Sequence, residues 1–239
     1  VIFPETSWPH IIQGIPAEFS GFSNRLKRLL LMGVITYDQE KYYNTAYLMR
    51  QGAVEGAYQK LRLVPFGEYV PLRDYLTFIA ILNTMEDMTP GKEMTVFDID
   101  GKTFSVLICF EDIFADLSAH AVRKGAQFLV NITNDAWFGQ SAEPSQHLAA
   151  SVFRAVENRK YMVRAANTGI SGFIDPFGRC DLVDDGGIFV SGLLTRDVFA
   201  NDYRTFYTQY GDYLFFAYLF FFLLLLNANV RATNANQRE

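Results

Sequence analysis

Cys109 follows the apolar run Phe104 to Ile108, and Glu111 and Asp112 come directly after it. That layout predicts a strand leading into a helix, with the thiol at the elbow between them. The positive end of a helix dipole at such an elbow favours thiolate, the form of cysteine that attacks carbon. A lone cysteine also serves as small buried packing, so the position alone leaves both readings open. A thiol with a pKa of about 8.5 is only a few per cent ionised at neutral pH, so a cysteine nucleophile needs a base or a cation beside it. Histidine is the usual partner, and the chain has only His10, His120 and His147. His120 falls inside a helical pattern, the other two lie beside loops or helix starts, and none has a persuasive Asn or Asp partner of the papain kind. Glu5 and Lys60 stand at better places: Glu5 follows the first apolar strand, where α/β folds put their functional loops, and Lys60 ends the hairpin strand Ala53 to Gln59. The alternatives are that Glu5 caps a helix or faces solvent, and that Lys60 is a solvated strand-end lysine.

The elements that must position these residues alternate between strand and helix over residues 1–200, without internal repeat or low-complexity tract. Val1 to Phe3 reads as a short strand, Phe19 to Leu30 as a helix, and Leu30 to Thr36 as a second strand. Tyr42 to Met49 and Ala53 to Tyr58 form a hairpin around Arg50, Gln51 and Gly52, and Val96 to Ile99 pairs with Thr103 to Ile108 through Asp100 and Gly101. Phe114, Leu117 and Ala121 mark one face of a helix that stops near Gly125, and a strand follows over Phe128 to Ile132. Pro144 opens another helix whose stripe is Leu148, Val152 and Val156, before strands at Tyr161 to Ala165 and Ile170 to Ile174. Hairpins mixed with helix crossovers predict two sheets in a helix-flanked sandwich.

The chain has 239 residues, half of them hydrophobic, enough to bury a substantial core. Its formal net charge of −5 argues against nucleic acid as a partner, because that affinity rests on clustered Lys and Arg. Two cysteines, Cys109 and Cys180, are too few for a disulfide scaffold, though one bridge between them is open. The first residue is Val1, with no signal-peptide layout, so the chain reads as a piece of something longer. From Tyr213 to Val230 it runs without a charge, roughly 27 Å of helix against a hydrocarbon core of about 30 Å. Phe215 to Leu226 is apolar all round, unlike a surface helix. Tyr207, Tyr210 and Tyr213 suit an interfacial aromatic belt, and Arg231 and Arg238 suggest a cytoplasmic tail, which places the preceding domain outside the cytoplasm.

Glu, Lys and Cys at three strand ends form the catalytic set of the nitrilase superfamily, and the words around them resemble one branch of it, the apolipoprotein N-acyltransferases. PET at 4–6, YQKLRLVPFGEYVP at 58–71, ICFED at 108–112, NITNDAWFG at 131–139, PSQH at 144–147 and RAVENRKYMVRAANTGISGFIDPFG at 154–178 resemble successive blocks in family order, over nearly the whole chain. The resemblance implies an α/β fold, a nitrilase-like α-β-β-α sandwich at 1–205 lacking its opening strand and helix, followed by a transmembrane helix at 210–230 and a short tail at 231–239. It implies Glu5 as general base, Lys60 as the cation that stabilises the oxyanion, and Cys109 as nucleophile. Glu68 and Glu111 match supporting acids, and Trp137 and Phe138 resemble an aromatic loop over the pocket. Phe110 departs from the pattern, since the family usually has Tyr after the nucleophile. The implied reaction moves an acyl chain from a phospholipid, through a thioester, to the N-terminal amine of a diacylglyceryl-cysteine apolipoprotein. The implied setting is the bacterial inner membrane with the domain on the periplasmic side, and the chemistry calls for no metal or organic cofactor. Two rivals remain at this point: an amidase with the same three residues, and a membrane-tethered binding module without activity.

Overall fold

In the computed structural model, which describes residues 1–76, 78 and 86–236, two sheets lie face to face between helices. The first sheet has three antiparallel strands in the order β1 (Leu30–Asp38), β2 (Lys41–Arg50) and β3 (Ala53–Gln59). The second has six in sequence order: β4 (Phe97–Ile99), β5 (Lys102–Ile108), β6 (Phe128–Asn134), β7 (Met162–Asn167), β8 (Gly172–Ile174) and β9 (Cys180–Leu182). β5, β6 and β7 run parallel and the remaining pairs are antiparallel. The parallel strands are connected through α2 (Ala115–Arg123) and α3 (Glu143–Asn158), as parallel pairing requires.

Alternation along the strands decides the layers. Leu31, Ala46, Leu48 and Tyr58 point from the first sheet into one core with Phe97, Phe104, Val106 and Ile108 of the second. Leu30, Met32, Val34 and Met49 point the other way and meet Phe19 of α1 (Ala17–Leu26). The layers are therefore α1, three strands, six strands, then α2 and α3, the expected α-β-β-α sandwich. Asp100 and Gly101 have φ of 53° and 83°, and Gln51 and Gly52 have 49° and 85°. Both φ values positive is the type I′ pattern, whose twist matches that of the joined strands.

Three expectations need correction. The opening run Val1 to Phe3 contributes only a bridge, Ile2 to Leu31, rather than a strand. The helix expected to reach Leu30 stops at Leu26, because Lys27 turns left-handed at φ 50° and the chain enters β1 three residues later. The apolar C-terminal segment is helical, but Gly211 at φ 55° separates α4 (Phe206–Tyr210) from α5 (Tyr213–Asn236). Among the described residues, no helix is long and apolar enough to cross a membrane. The supposed tail continues the helix to Asn236, and Arg238 lies outside the described residues.

Candidate active site

The carboxyl ends of β5, β6 and β7 share one edge of the sheet, and Cys109, Asn134 and Asn167 stand there. Cys109 opens a short 3₁₀ turn, Cys109–Ile113, and adopts φ 52°, a left-handed conformation that costs a non-glycine residue about 1–3 kcal/mol. It is 8% exposed. Across the seam between the sheets, β3 delivers Lys60, which is 1% exposed. Glu5 arrives on the segment running beside β1. Gly33 permits that approach: a Cβ there would stand 2.5 Å from the Glu5 Cα.

Lys60 Nζ donates to Glu68 Oε1 at 2.8 Å and lies 3.6 Å from Glu5 Oε1. Asn44, inside β2, donates through Nδ2 to Glu5 Oε1 at 2.6 Å and to Glu68 Oε1 at 3.0 Å. The Asn134 N–H fixes Glu5 Oε2 at 2.8 Å, and the Val64 N–H fixes Glu68 Oε2 at 2.8 Å. Glu111 joins the two halves of the site. It accepts from Tyr58 Oη, from the N–H groups of Leu61 and Arg62 just after Lys60, and from the Ile108 N–H just before Cys109.

Burial pushes the Cys109 thiol up to about 12, with Glu5 adding to the effect and Lys60 opposing it. Burial also raises Glu5 above the usual carboxylate range, against Lys60 and Asn44. Burial alone would lower the Lys60 ammonium, but the carboxylates of Glu5 and Glu68 outweigh it and keep the amine protonated. Glu111 rises to about 7, because burial exceeds the effect of its backbone donors. At neutral pH the resting sulfur therefore keeps its proton, and Glu5 is the adjacent group able to take it.

Behind Cys109 lies a second buried cluster. Arg164 reaches Asp112 Oδ2 and Asp135 Oδ2, both at 3.1 Å. It also contacts Asn131 Oδ1 and Ser151 Oγ, while Ser151 donates to Asp112. His147 joins this cluster, contrary to its unpartnered appearance in the sequence: Nδ1 is 3.1 Å from Asp135 Oδ1 and Nε2 is 2.9 Å from Asp112 Oδ1. Donor atoms of Asp135, Glu143 and His147 fall within 4.8 Å of one another. The Arg164 guanidinium already occupies the cationic place against Asp135, so these residues make a poor metal site. Trp137 is 85% exposed and Phe138 partly so, on the turn that follows Asn134. Neither is part of the core. The Phe110 ring centroid lies 6.2 Å from that of His147. Cys180 is exposed and free while Cys109 is buried and free, so the possible bridge is not formed.

The family profile described as carbon-nitrogen hydrolase matches residues 1–197. The chain belongs to the carbon-nitrogen hydrolase family. Among curated proteins, this carbon-nitrogen hydrolase is 39% identical to the apolipoprotein N-acyltransferase of Geobacter metallireducens, over 89% of this chain and 42% of that protein. It is 41% identical to the enzyme of the same name from Methylococcus capsulatus, over 75% and 37%, and 34% identical to that of Pseudomonas aeruginosa, over 88% and 42%. The chain thus spans about two-fifths of the length of these relatives. Solved structures of an amidase from Nesterenkonia sp. AN1 share the fold, with TM-scores of 0.52 and 0.53 at 22% and 21% identity. They cover 69% and 70% of this chain, and the matched parts are 59% and 61% of the amidase chains.

The carbon-nitrogen hydrolase site brings together every residue the sequence singled out at strand ends. Asn44 and the His147 cluster escaped sequence reasoning. Asn44 left one signal, a polar residue in an otherwise strand-like run, and that is too common to use.

Proposed function

We propose that this chain is the acyl-transferring domain of an apolipoprotein N-acyltransferase, with Cys109 as nucleophile, Glu5 as general base and Lys60 as the oxyanion's cation. The observation that carries the reading is the buried assembly of Glu5, Lys60, Asn44 and Glu68 around the Cys109 elbow, in a chain whose curated relatives bear that name.

Glu5 takes the thiol proton as Sγ attacks the ester carbonyl of a phospholipid. The carbonyl π pair moves to oxygen, and Lys60 with the Phe110 N–H stabilises the charge that develops there. The tetrahedral adduct collapses, the C–O bond breaks, and Glu5 returns the proton to the leaving lysophospholipid. The N-terminal amine of a diacylglyceryl-cysteine apolipoprotein then attacks the thioester carbonyl. Glu5 accepts the amine proton and passes it to the departing sulfur, which restores the Cys109 thiol and completes the amide. Asn44 and Glu68 hold the base and the cation apart: Lys60 bonds Glu68 at the shorter distance, leaving Glu5 free to exchange protons. Trp137 and Phe138 contact acyl chains at the mouth.

The proposed setting is the bacterial inner membrane, with the domain of residues 1–205 on its periplasmic side. α5 buries its apolar surface in lipid: Phe215 to Leu226 present exposed large apolar side chains on all sides. The test is to incubate the full-length enzyme with phospholipid and no acceptor. An acyl thioester on the Cys109 peptide, sensitive to hydroxylamine and absent from Cys109→Ala, is the expected result. An adduct on Cys180, or acyl transfer by Cys109→Ala, would overturn the reading. A thioester that water clears as fast as the amine does would mark a hydrolase instead.

A further inference from the structure

The cluster around His147 is not used by the acyl-transfer steps above, yet it touches the nucleophile's own backbone. His147 Nε2 lies 3.2 Å from the Cys109 carbonyl oxygen, and Asn131 Nδ2 donates to the same oxygen at 3.1 Å. Each histidine nitrogen faces acceptors only: Asp135 Oδ1 and Glu143 Oε1 stand before Nδ1, and the Cys109 carbonyl and Asp112 Oδ1 before Nε2. A neutral imidazole has one N–H and would point a lone pair at acceptors on one side, whereas an imidazolium satisfies both sides. The charges agree. Asp112 and Asp135 are wholly buried and Arg164 alone cannot balance both, with the partly exposed Glu143 adding further negative charge beside the ring, so an imidazolium offsets an excess of buried negative charge.

The peptide joining Cys109 to Phe110 is planar and trans, so its C=O and N–H point in opposite directions. Pulling the carbonyl back into the His147 cluster turns the Phe110 N–H forward. The first N–H groups of a helical turn have no partner within it, and Phe110 is the second residue of such a turn. Cys109 itself holds a left-handed φ of 52° at this point of the chain.

Building on the acyl-transfer reading, we propose that the His147 imidazolium is a positioning residue that, with Asn131, holds the Cys109 carbonyl away from the substrate and so aims the Phe110 N–H at the oxyanion. Its influence is confined to steps in which a carbonyl oxygen gains charge.

Two reagents separate this role from a structural one. A p-nitrophenyl fatty ester acylates Cys109 through an oxyanion, while iodoacetamide alkylates it by direct displacement without one. Both rates are measured at the Cys109 peptide by mass spectrometry, with full-length enzyme in detergent micelles. In His147→Gln, acylation should fall about 30-fold, less than the 10²–10³ lost when an oxyanion donor is removed outright, with alkylation within about twofold of wild type. Equal slowing of both reactions, or of neither, would overturn the inference.

A second arm needs no variant. Burial lowers His147, but its bonds to Asp112 and Asp135 prevail and bring it to about 9, with Arg164 opposing. The groups facing the ring are Asp112, Asp135, Glu143 and the Phe110 ring, with Arg164 across the two aspartates. In wild type, the ratio of acylation to alkylation should drop as pH passes through about 9. Ionisation of Cys109 and Glu5 enters both rates and cancels. A flat ratio would refute the role even if His147→Gln fails to fold. A wild-type enzyme that alkylates at Cys109 but acylates from neither the ester nor phospholipid would instead sink the acyl-transfer reading itself.

Discussion

Replacing Glu68 with Gln keeps the size of the side chain and removes one of the two negative charges against buried Lys60. Glu68 accepts from Lys60 and Asn44 through Oε1 and from the Val64 N–H through Oε2. A Gln oxygen can serve one of these places, and its NH₂ then faces the donors of the other. The charge-assisted bond to Lys60 is worth about 1.5–3 kcal/mol, or roughly 10- to 150-fold if that loss is expressed in the acylation transition state. The remaining partner of Lys60 is Glu5 at 3.6 Å, so the ammonium moves toward the base. Glu68 now adds to the raising of Glu5, and Lys60 opposes it. Both changes in the variant therefore lower Glu5 and weaken it as a proton acceptor. The acid limb of kcat/KM, which reports groups of the free enzyme, should shift to lower pH as kcat falls. Single-turnover acylation of full-length Glu68→Gln by phospholipid across the pH range measures both effects, with circular dichroism to establish folding. A folded variant with kcat within about twofold of wild type, and an unmoved acid limb, would refute the role given to Glu68.

Gly33→Ala should destabilise the protein by about 1–3 kcal/mol in urea melts and reduce acylation further, because the new Cβ meets the backbone of Pro4, Glu5 and Thr6; an unchanged melt and rate would show that the Glu5 segment yields freely. His147 is raised in the folded state, so its contribution is complete below about 6.5 and lost as pH rises through about 9, amounting to about 3 kcal/mol. Urea midpoints should fall over that window in wild type and fall less in His147→Gln, and parallel curves would rule the contribution out. Trp137→Ala should leave stability within about 0.5 kcal/mol, since the ring is exposed, while acylation from lipid vesicles drops; unchanged vesicle activity would remove Trp137 from the lipid-binding loop.

The parts of this site that sequence could reveal are those fixed by local chemistry. Asp100-Gly101 and Gln51-Gly52 announce their hairpins because both turns need positive φ at successive positions. The β1–β2 turn uses the same conformation at Gln39 and Glu40, without a glycine, and gives no such signal. Cys109, Lys60 and Glu5 stand out because each follows a strand pattern, and the blocks around them resemble a known family. Asn44 and His147 do not, because their importance lies in partners 39 and 38 residues distant, Glu5 and Cys109 respectively. The terminal helix shows the reverse problem. The uncharged run from Tyr213 is indeed helical, but the helix expected to open at 210 is broken at Gly211, and hydropathy alone does not register that break.

The resting state of Cys109 also bears on how the protein meets oxidants. Peroxides attack thiolate, and the ladder from sulfenic to sulfonic acid begins there. With its thiol pushed up to about 12 by burial, Cys109 stays protonated at neutral pH, and little of it is open to solvent. Cys180, on the outer strand β9, is free and exposed; burial and Asp175 raise its thiol as well, so it meets the reagent first by access rather than by ionisation. The arrangement that makes the nucleophile depend on Glu5 thus shields it chemically while idle, so that oxidative damage is delivered to a thiol remote from the catalytic cluster.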